Sequence, residues 1–138
     1  MVTFLLDTNA LSEPFRAVPN DHFLRHYRTH AGDLAIASVT WHEALFGAAR
    51  LPEGKRKRAV DTYLHDVILA TIKILPYDAA AAEWHARERA RLGKRGRSVP
   101  YADGQIAAVA VVNDFTLVTA NVRDFKAFAG LRVENWTA

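Results

Sequence analysis

Four carboxylates are placed along the chain where each can fall beside the end of a strand: Asp7, Glu43, Asp103 and Asp124. Acids brought together in that number suit the holding of a hard divalent cation. Oxygen ligands select Mg²⁺ or Mn²⁺, which keep several waters and bind a phosphate oxygen as well. Such an ion lowers the pKa of a bound water, polarises a phosphoryl group and neutralises the charge that develops on it. The chemistry that follows is phosphodiester hydrolysis, with Asp7 and Asp103 as direct ligands. Glu43 and Asp124 are assigned to a second metal or to the waters of the first, one of them orienting the attacking water as a general base. Without a cation the four would repel one another and raise some of their pKa values.

The basic residues fall in two blocks. Lys55, Arg56, Lys57 and Arg58 form one, and Arg87, Arg89, Arg91, Lys94, Arg95 and Arg97 form the other, together ten of the eighteen Lys and Arg residues behind a net charge of only +3. Either block alone reads equally well as a solvated surface. Beside a separate set of acids they suit a phosphate backbone, and Lys55, Arg56, Lys57, Arg58, Lys94, Arg95 and Arg97 are the candidate nucleic-acid contacts.

The elements that must position these groups alternate between strand and helix. Residues 2–6 read as a short buried strand that stops at Asp7, 34–40 as a second, 72–75 as a third, 116–119 as a fourth and 131–135 as a short last one. Helices are expected at about 20–30, 41–50, 55–71, 79–92 and 100–112. Asp78 is the expected N-cap of the fourth helix, residues 93–97 a basic loop, and Pro100 the first turn of the next helix. Alternation of this kind predicts a parallel sheet covered by helices on both faces, with ligands bound at the carboxyl ends of its strands. Asp7 then follows the first strand, Glu43 lies in the first turn after the second, and Asp124 lies past the fourth. The helix holding Asp103 must return the chain to the bottom of the fourth strand, so its first turn belongs at the top.

At 138 residues, 50% hydrophobic and 24% charged, the chain is expected to form one domain over 1–138. The lack of cysteine excludes disulfides and thiolate metal sites and fits a cytoplasmic protein. An acid at position 7 interrupts any signal peptide, and no apolar run approaches ~20 residues, so no membrane span is expected.

Each acid also has a plainer reading. Thr40-Trp41-His42-Glu43 has the form of a capping box, Asp103 suits the positive end of a helix, Asp7 can open a turn through Asp7-Thr8-Asn9, and Asp124 can be plain surface. His22, His26 and His30 share a helical face, but no further ligand completes a zinc site. His42-Glu43 opens like a zinc-protease motif, yet Phe46 stands where a second histidine is required. Trp41, Trp84 and Trp136 read as packing residues.

Asp7-Thr8-Asn9 after an opening strand, Glu43 on a helix, Asp103 in Ala102-Asp103-Gly104-Gln105-Ile106-Ala107, and Thr119-Ala120-Asn121-Val122-Arg123-Asp124-Phe125 resemble, in order and spacing, the motifs of the PIN domain. The resemblance runs from residue 3 to about 125. The length and Leu11-Ser12-Glu13-Pro14 resemble the VapC and FitB group of toxin ribonucleases. It implies a three-layer α/β/α fold with a central, mainly parallel sheet of four to five strands and Mg²⁺-dependent endoribonuclease activity, with Mn²⁺ able to substitute. It also implies a homodimer and a small VapB-like antitoxin that blocks the acidic pocket. Some relatives carry an acid where this chain has Asn121, which makes Asp124 its replacement. Thr8, Asn9, Thr119 and Asn121 are then supporting residues that position a ligand acid or a water. Two rival readings are a catalytically silent nucleic-acid-binding module, which four phosphate-repelling acids oppose, and a DNA-directed or structure-specific metal nuclease, which the short chain opposes.

Overall fold

Short apolar runs build the centre of the molecule. In the computed structural model, which describes residues 3–138, strands β1 (Phe4–Leu6), β2 (Leu34–Ala37), β3 (Lys73–Leu75), β4 (Thr116–Val118) and β5 (Arg132–Glu134) form one sheet in the order β3-β2-β1-β4-β5. Every neighbouring pair is parallel. The predicted strand over 2–6 is seen as β1; Val2, its first residue, lies outside the described residues.

The chain first builds outward from β1 through β2 to β3, then crosses back to place β4 on the other side of β1. That reversal opens a crevice at the carboxyl ends of β1 and β4. Leu6 is level with both Ile36 and Val118, so the residues after each strand emerge at one edge.

Alternate residues of the sheet serve two cores, as a parallel sheet covered on both faces requires. Leu5, Ala35 and Leu117 pack with Ala81 and Leu92 of α6 (Ala79–Lys94) and with Ala107 and Val109 of α7 (Tyr101–Val112). Leu6, Ile36 and Val118 face the other way. They meet Leu11 of α1 (Thr8–Ser12), Phe23 of α2 (Asp21–Thr29), Ala48 of α3 (Ser38–Ala49) and the buried indole of Trp136. The outcome is the three-layer α/β/α fold expected from the alternation. Among the described residues, no helix is long and apolar enough to cross a membrane.

Several boundaries differ from expectation. Strand β2 ends at Ala37, level with Leu75 at the end of β3, and Ser38-Val39-Thr40 already belong to α3. Glu43 therefore sits in the second turn of α3, and Thr40 is no cap: Ala37 is the N-cap residue, without a side-chain bond, and the Thr40 hydroxyl is buried with no partner among the described residues. The expected helix at 55–71 is α4 (Lys55–Thr62), a π-helical turn at Tyr63–Ile68 and α5 (Leu69–Thr71). Asp78 does cap α6, accepting the Ala81 N–H. That helix continues through Gly93 to Lys94, and the chain turns away at Gly96, whose φ of +70° a side chain would resist and whose N–H donates to the Gly93 carbonyl. Two short helices escaped the reading, α1 directly after Asp7 and α8 (Val122–Phe125) around Asp124.

Candidate active site

Asp7 and Thr119 stand side by side, each one residue past the end of its strand. The Asp7 N–H donates to the Val118 carbonyl, and the Thr119 N–H to the Glu134 carbonyl, so both continue the sheet's hydrogen bonding. The Asp7 side chain is spoken for on both oxygens. Oδ1 accepts the Ala10 N–H at 2.8 Å and caps α1, while Oδ2 accepts the Thr119 hydroxyl at 2.5 Å. The Thr119 oxygen in turn accepts the Asn121 N–H at 3.0 Å. Asp7 is therefore an N-cap as well as a pocket acid. Burial pushes its carboxyl above the ordinary value, against the hydrogen bonds from Thr119, Ala10 and Asn9, which pull it down.

The chain folds the other acids onto the same spot. Asp7, Glu43, Asp103 and Asp124 line one cavity of about 320 Å³, and Thr8, Asn9 and Asn121 contribute to its wall. Asp103 enters from the first turn of α7 and Asp124 from α8. Burial raises the pKa of Asp103, and the carboxylates of Asp124, Asp7 and Glu43 each raise it further. Asp103 thus feels the charge of the other three acids. Among the described residues, no three acids or histidines already close on one point as a ready ligand cage.

Helix α7 can bring Asp103 this close because it packs tightly on α6. A Cβ on Gly104 would lie 2.2 Å from Nε2 of the buried His85, so only glycine fits there. The His85 ring is fixed by the Tyr77 hydroxyl, 2.8 Å from Nδ1.

A model of the PIN domain matches residues 4–131. The chain belongs to the PIN-domain family. It is 34% identical over 137 residues to the tRNA(fMet)-specific endonuclease VapC of Shigella flexneri, covering 99% of this chain and 100% of the relative. Among solved structures, FitAcB from Neisseria gonorrhoeae superposes with a TM-score of 0.89 at 33% identity, covering 97% of this chain and 98% of that one. DNA-bound VapBC from Salmonella typhimurium superposes with a TM-score of 0.86 at 29% identity, covering 99% of each chain.

Among the described residues, no basic residue of this PIN domain lines the acidic cavity. Lys55 and Arg58 are exposed on α4. Lys57 donates to the Ala48 and Ala49 carbonyls at the end of α3, a structural bond that the charge-block reading did not foresee. Arg56 lies over the Phe15 ring, 5.0 Å from its centre, and lines an apolar groove of about 320 Å³ with Leu11, Leu51 and Tyr63. That groove shares Thr8 and Glu43 with the acidic cavity. It was missed in the sequence because Phe15 and Tyr63, which stack at 5.0 Å, are too far apart in the chain to form a local pattern. Lys94, Arg95 and Arg97 are exposed around the end of α6, whereas Arg91 is tied to the buried Glu88 at 2.6 and 2.7 Å.

Proposed function

We propose that this PIN domain is the toxin of a toxin–antitoxin pair and an endoribonuclease that hydrolyses RNA phosphodiester bonds with Mg²⁺, or Mn²⁺ in its place. The observation that carries the reading is the meeting of four carboxylates in one cavity free of basic side chains, at the carboxyl edge of a parallel sheet. The donors suit such an ion. They are carboxylates with the amides of Asn9 and Asn121, and no imidazole or thiolate is among them. Mg²⁺ commonly takes one or two carboxylates and keeps waters and substrate phosphates for the rest. Burial first, and then the carboxylates of Asp124, Asp7 and Glu43, raise the pKa of Asp103, and a cation relieves the repulsion among them. The likeness to a VapC named as a tRNA(fMet)-specific endonuclease supports RNA as the substrate.

Asp7 and Asp103 are the direct ligands in this reading. When bound, the metal supplies a polarised phosphoryl group, a more acidic water and compensation of the developing charge. Thr119 fixes the orientation of Asp7 by donating to Oδ2, and the Ala10 N–H fixes the other oxygen. Glu43 and Asp124 are the more exposed acids. They hold a second ion or the waters of the first, and one of them takes the proton of the attacking water. Thr8, Asn9 and Asn121 orient those waters.

The partner is a small VapB-like antitoxin, and the chain acts as a homodimer. An arginine of the antitoxin closes the acidic cavity, its planar fork engaging two carboxylate oxygens. The adjoining groove of Leu11, Phe15, Leu51 and Tyr63 takes an apolar face of the same segment. Solved relatives of this chain named VapBC and FitAcB support a protein partner.

The test is incubation of the purified protein with total cellular RNA, with and without Mg²⁺, and mapping of the new ends. Metal-dependent cleavage at defined sites is expected. Asp7→Asn and Asp103→Asn abolish it with unchanged circular dichroism, Glu43→Gln is severe and Asp124→Asn is the mildest. Cleavage of DNA but not RNA in the same assay overturns the substrate, and near-native activity of Asp7→Asn or Asp103→Asn overturns the ligand assignment.

A further inference from the structure

A second cavity of opposite charge shares a wall with the acidic one. Pro100, Ala102 and Asp103 line the acidic side of the segment that opens α7. Val99 and Tyr101, the residues between and before them, line the other side. The second cavity, of about 450 Å³, is completed by His85 and Arg89 of α6 and by Arg97 and Ser98 of the loop that follows. No acid lines it.

Its cations are free to work. Among the described residues neither Arg89 nor Arg97 forms an ion pair with a carboxylate, whereas Arg91, two residues from Arg89, is held by Glu88. Both guanidiniums belong to exposed residues. Tyr101 is 54% exposed, and its ring is held by two neighbours. The Arg89 guanidinium lies 5.4 Å from its centre, and the buried His85 ring meets it at 5.0 Å, tilted by 53°. His85 is itself tied to the Tyr77 hydroxyl. A largely exposed tyrosine beside two guanidiniums and the hydroxyl of Ser98 matches the two parts of a single-stranded nucleotide. Bases stack on such rings with little regard to sequence, and arginine forks bind phosphate.

We propose that this cavity is a nucleotide subsite for the RNA strand. Arg89, Arg97 and Ser98 hold the phosphate next to the one that is cut, and the base of that nucleotide stacks on Tyr101. The proposal rests on RNA being the substrate. It gives the second basic block a task through Arg89 and Arg97, while Arg91 remains structural. An acidic segment of a protein partner is the competing occupant, and it has no use for an exposed ring.

Binding tests it without cleavage. The probe is a short fluorescein-labelled single-stranded RNA of mixed sequence, read by anisotropy in Mg²⁺ over a range of salt, with Asp103→Asn as the parent so that the strand stays intact. Arg89→Ala and Arg97→Ala should each weaken binding about fivefold or more, and each should reduce the dependence of log Kd on log salt by about 0.7, one single-strand phosphate contact. Tyr101→Ala should weaken binding about fivefold or more with the salt dependence unchanged, and Tyr101→Phe should bind like the parent. Arginine variants with the parent's affinity, or with lost affinity but the parent's salt dependence, overturn the subsite. So does an effect confined to antitoxin binding. If the parent binds RNA and every variant binds as well, the subsite alone fails. If the wild type neither binds nor cuts the RNA, the ribonuclease reading fails with it.

Discussion

Thr119 donates its hydroxyl proton to Asp7 across the junction of β1 and β4, while accepting the Asn121 N–H on the same oxygen. The bond is buried and joins residues 112 positions apart in the chain, so the hydroxyl fixes Asp7 only in the folded protein. Thr119→Val keeps the shape and removes both roles. Partners that orient metal ligands typically matter about 10–100-fold in affinity or activity. Thr119→Val should therefore lower RNA cleavage by about that factor and raise the Mg²⁺ concentration needed for half-maximal rate, whereas Thr119→Ser should retain both. A Thr119→Val enzyme with the wild-type metal requirement would show that Thr119 does not position Asp7 for a metal.

The raised pKa of Asp103 has a consequence for stability with a definite sign. A carboxyl whose folded pKa lies above its unfolded value is penalised when ionised. The penalty is absent below the ordinary value of 3.8 and complete above the raised one. In EDTA near neutral pH, Asp103→Asn should leave the melting temperature unchanged or raise it, and any gain should vanish in acid. Mn²⁺ should then stabilise the wild type by mass action but not the variant. A clear drop in metal-free melting temperature would instead mark Asp103 as an ordinary helix-end acid, worth ~0.3–1 kcal/mol.

The contact of Gly104 with His85 ties the geometry of α7 to that of α6, one residue from Asp103. A methyl group at 104 has nowhere to go, because His85 is buried and its ring is bonded to Tyr77. Gly104→Ala should cost about 1–3 kcal/mol in urea denaturation, as overpacking does. Adding His85→Ala should relieve it, so that the double variant is more stable than the sum of the two losses predicts. Additive losses would mean that α7 yields without pressing on His85.

The placing of the four acids at one edge was legible because a parallel sheet sends the residues after its strands to a single side. Leu6-Asp7 and Val118-Thr119 follow that rule directly. The start of α3 was not legible, since Ala37-Ser38-Val39-Thr40 has the β-branched look of a strand. What ends β2 is the last level pair with β3, Ala37 with Leu75, and the full burial of Thr40 inside the next helix. The capping-box pattern at Thr40 was accordingly a coincidence of spacing. The two further cavities were hidden for another reason. They join Phe15 to Tyr63 and His85 to Tyr101, pairs that only tertiary packing creates. Charge counting could not tell Arg91, locked on Glu88, from Arg89 and Arg97, which form no ion pair with a carboxylate among the described residues.

The toxin reading makes the boldest prediction. An open acidic cavity able to take Mg²⁺ would cut RNA in its own host unless something closes it. A basic side chain is the smallest plug, and arginine can compensate the charge that the metal otherwise compensates. Expression of this chain alone in a bacterium should therefore arrest growth, and co-expression of its small antitoxin should restore it. Asp7→Asn should abolish the arrest, because Asn can still accept the Ala10 N–H and cap α1 but brings no charge to the cavity. In the antitoxin, replacing the plugging arginine by alanine should leave a complex that forms but no longer protects. The readouts are colony counts and cleavage of cellular RNA from the same cultures. Harmless expression of a wild-type protein whose RNA cleavage has been verified in vitro would refute the toxin role and leave a metal nuclease with another task.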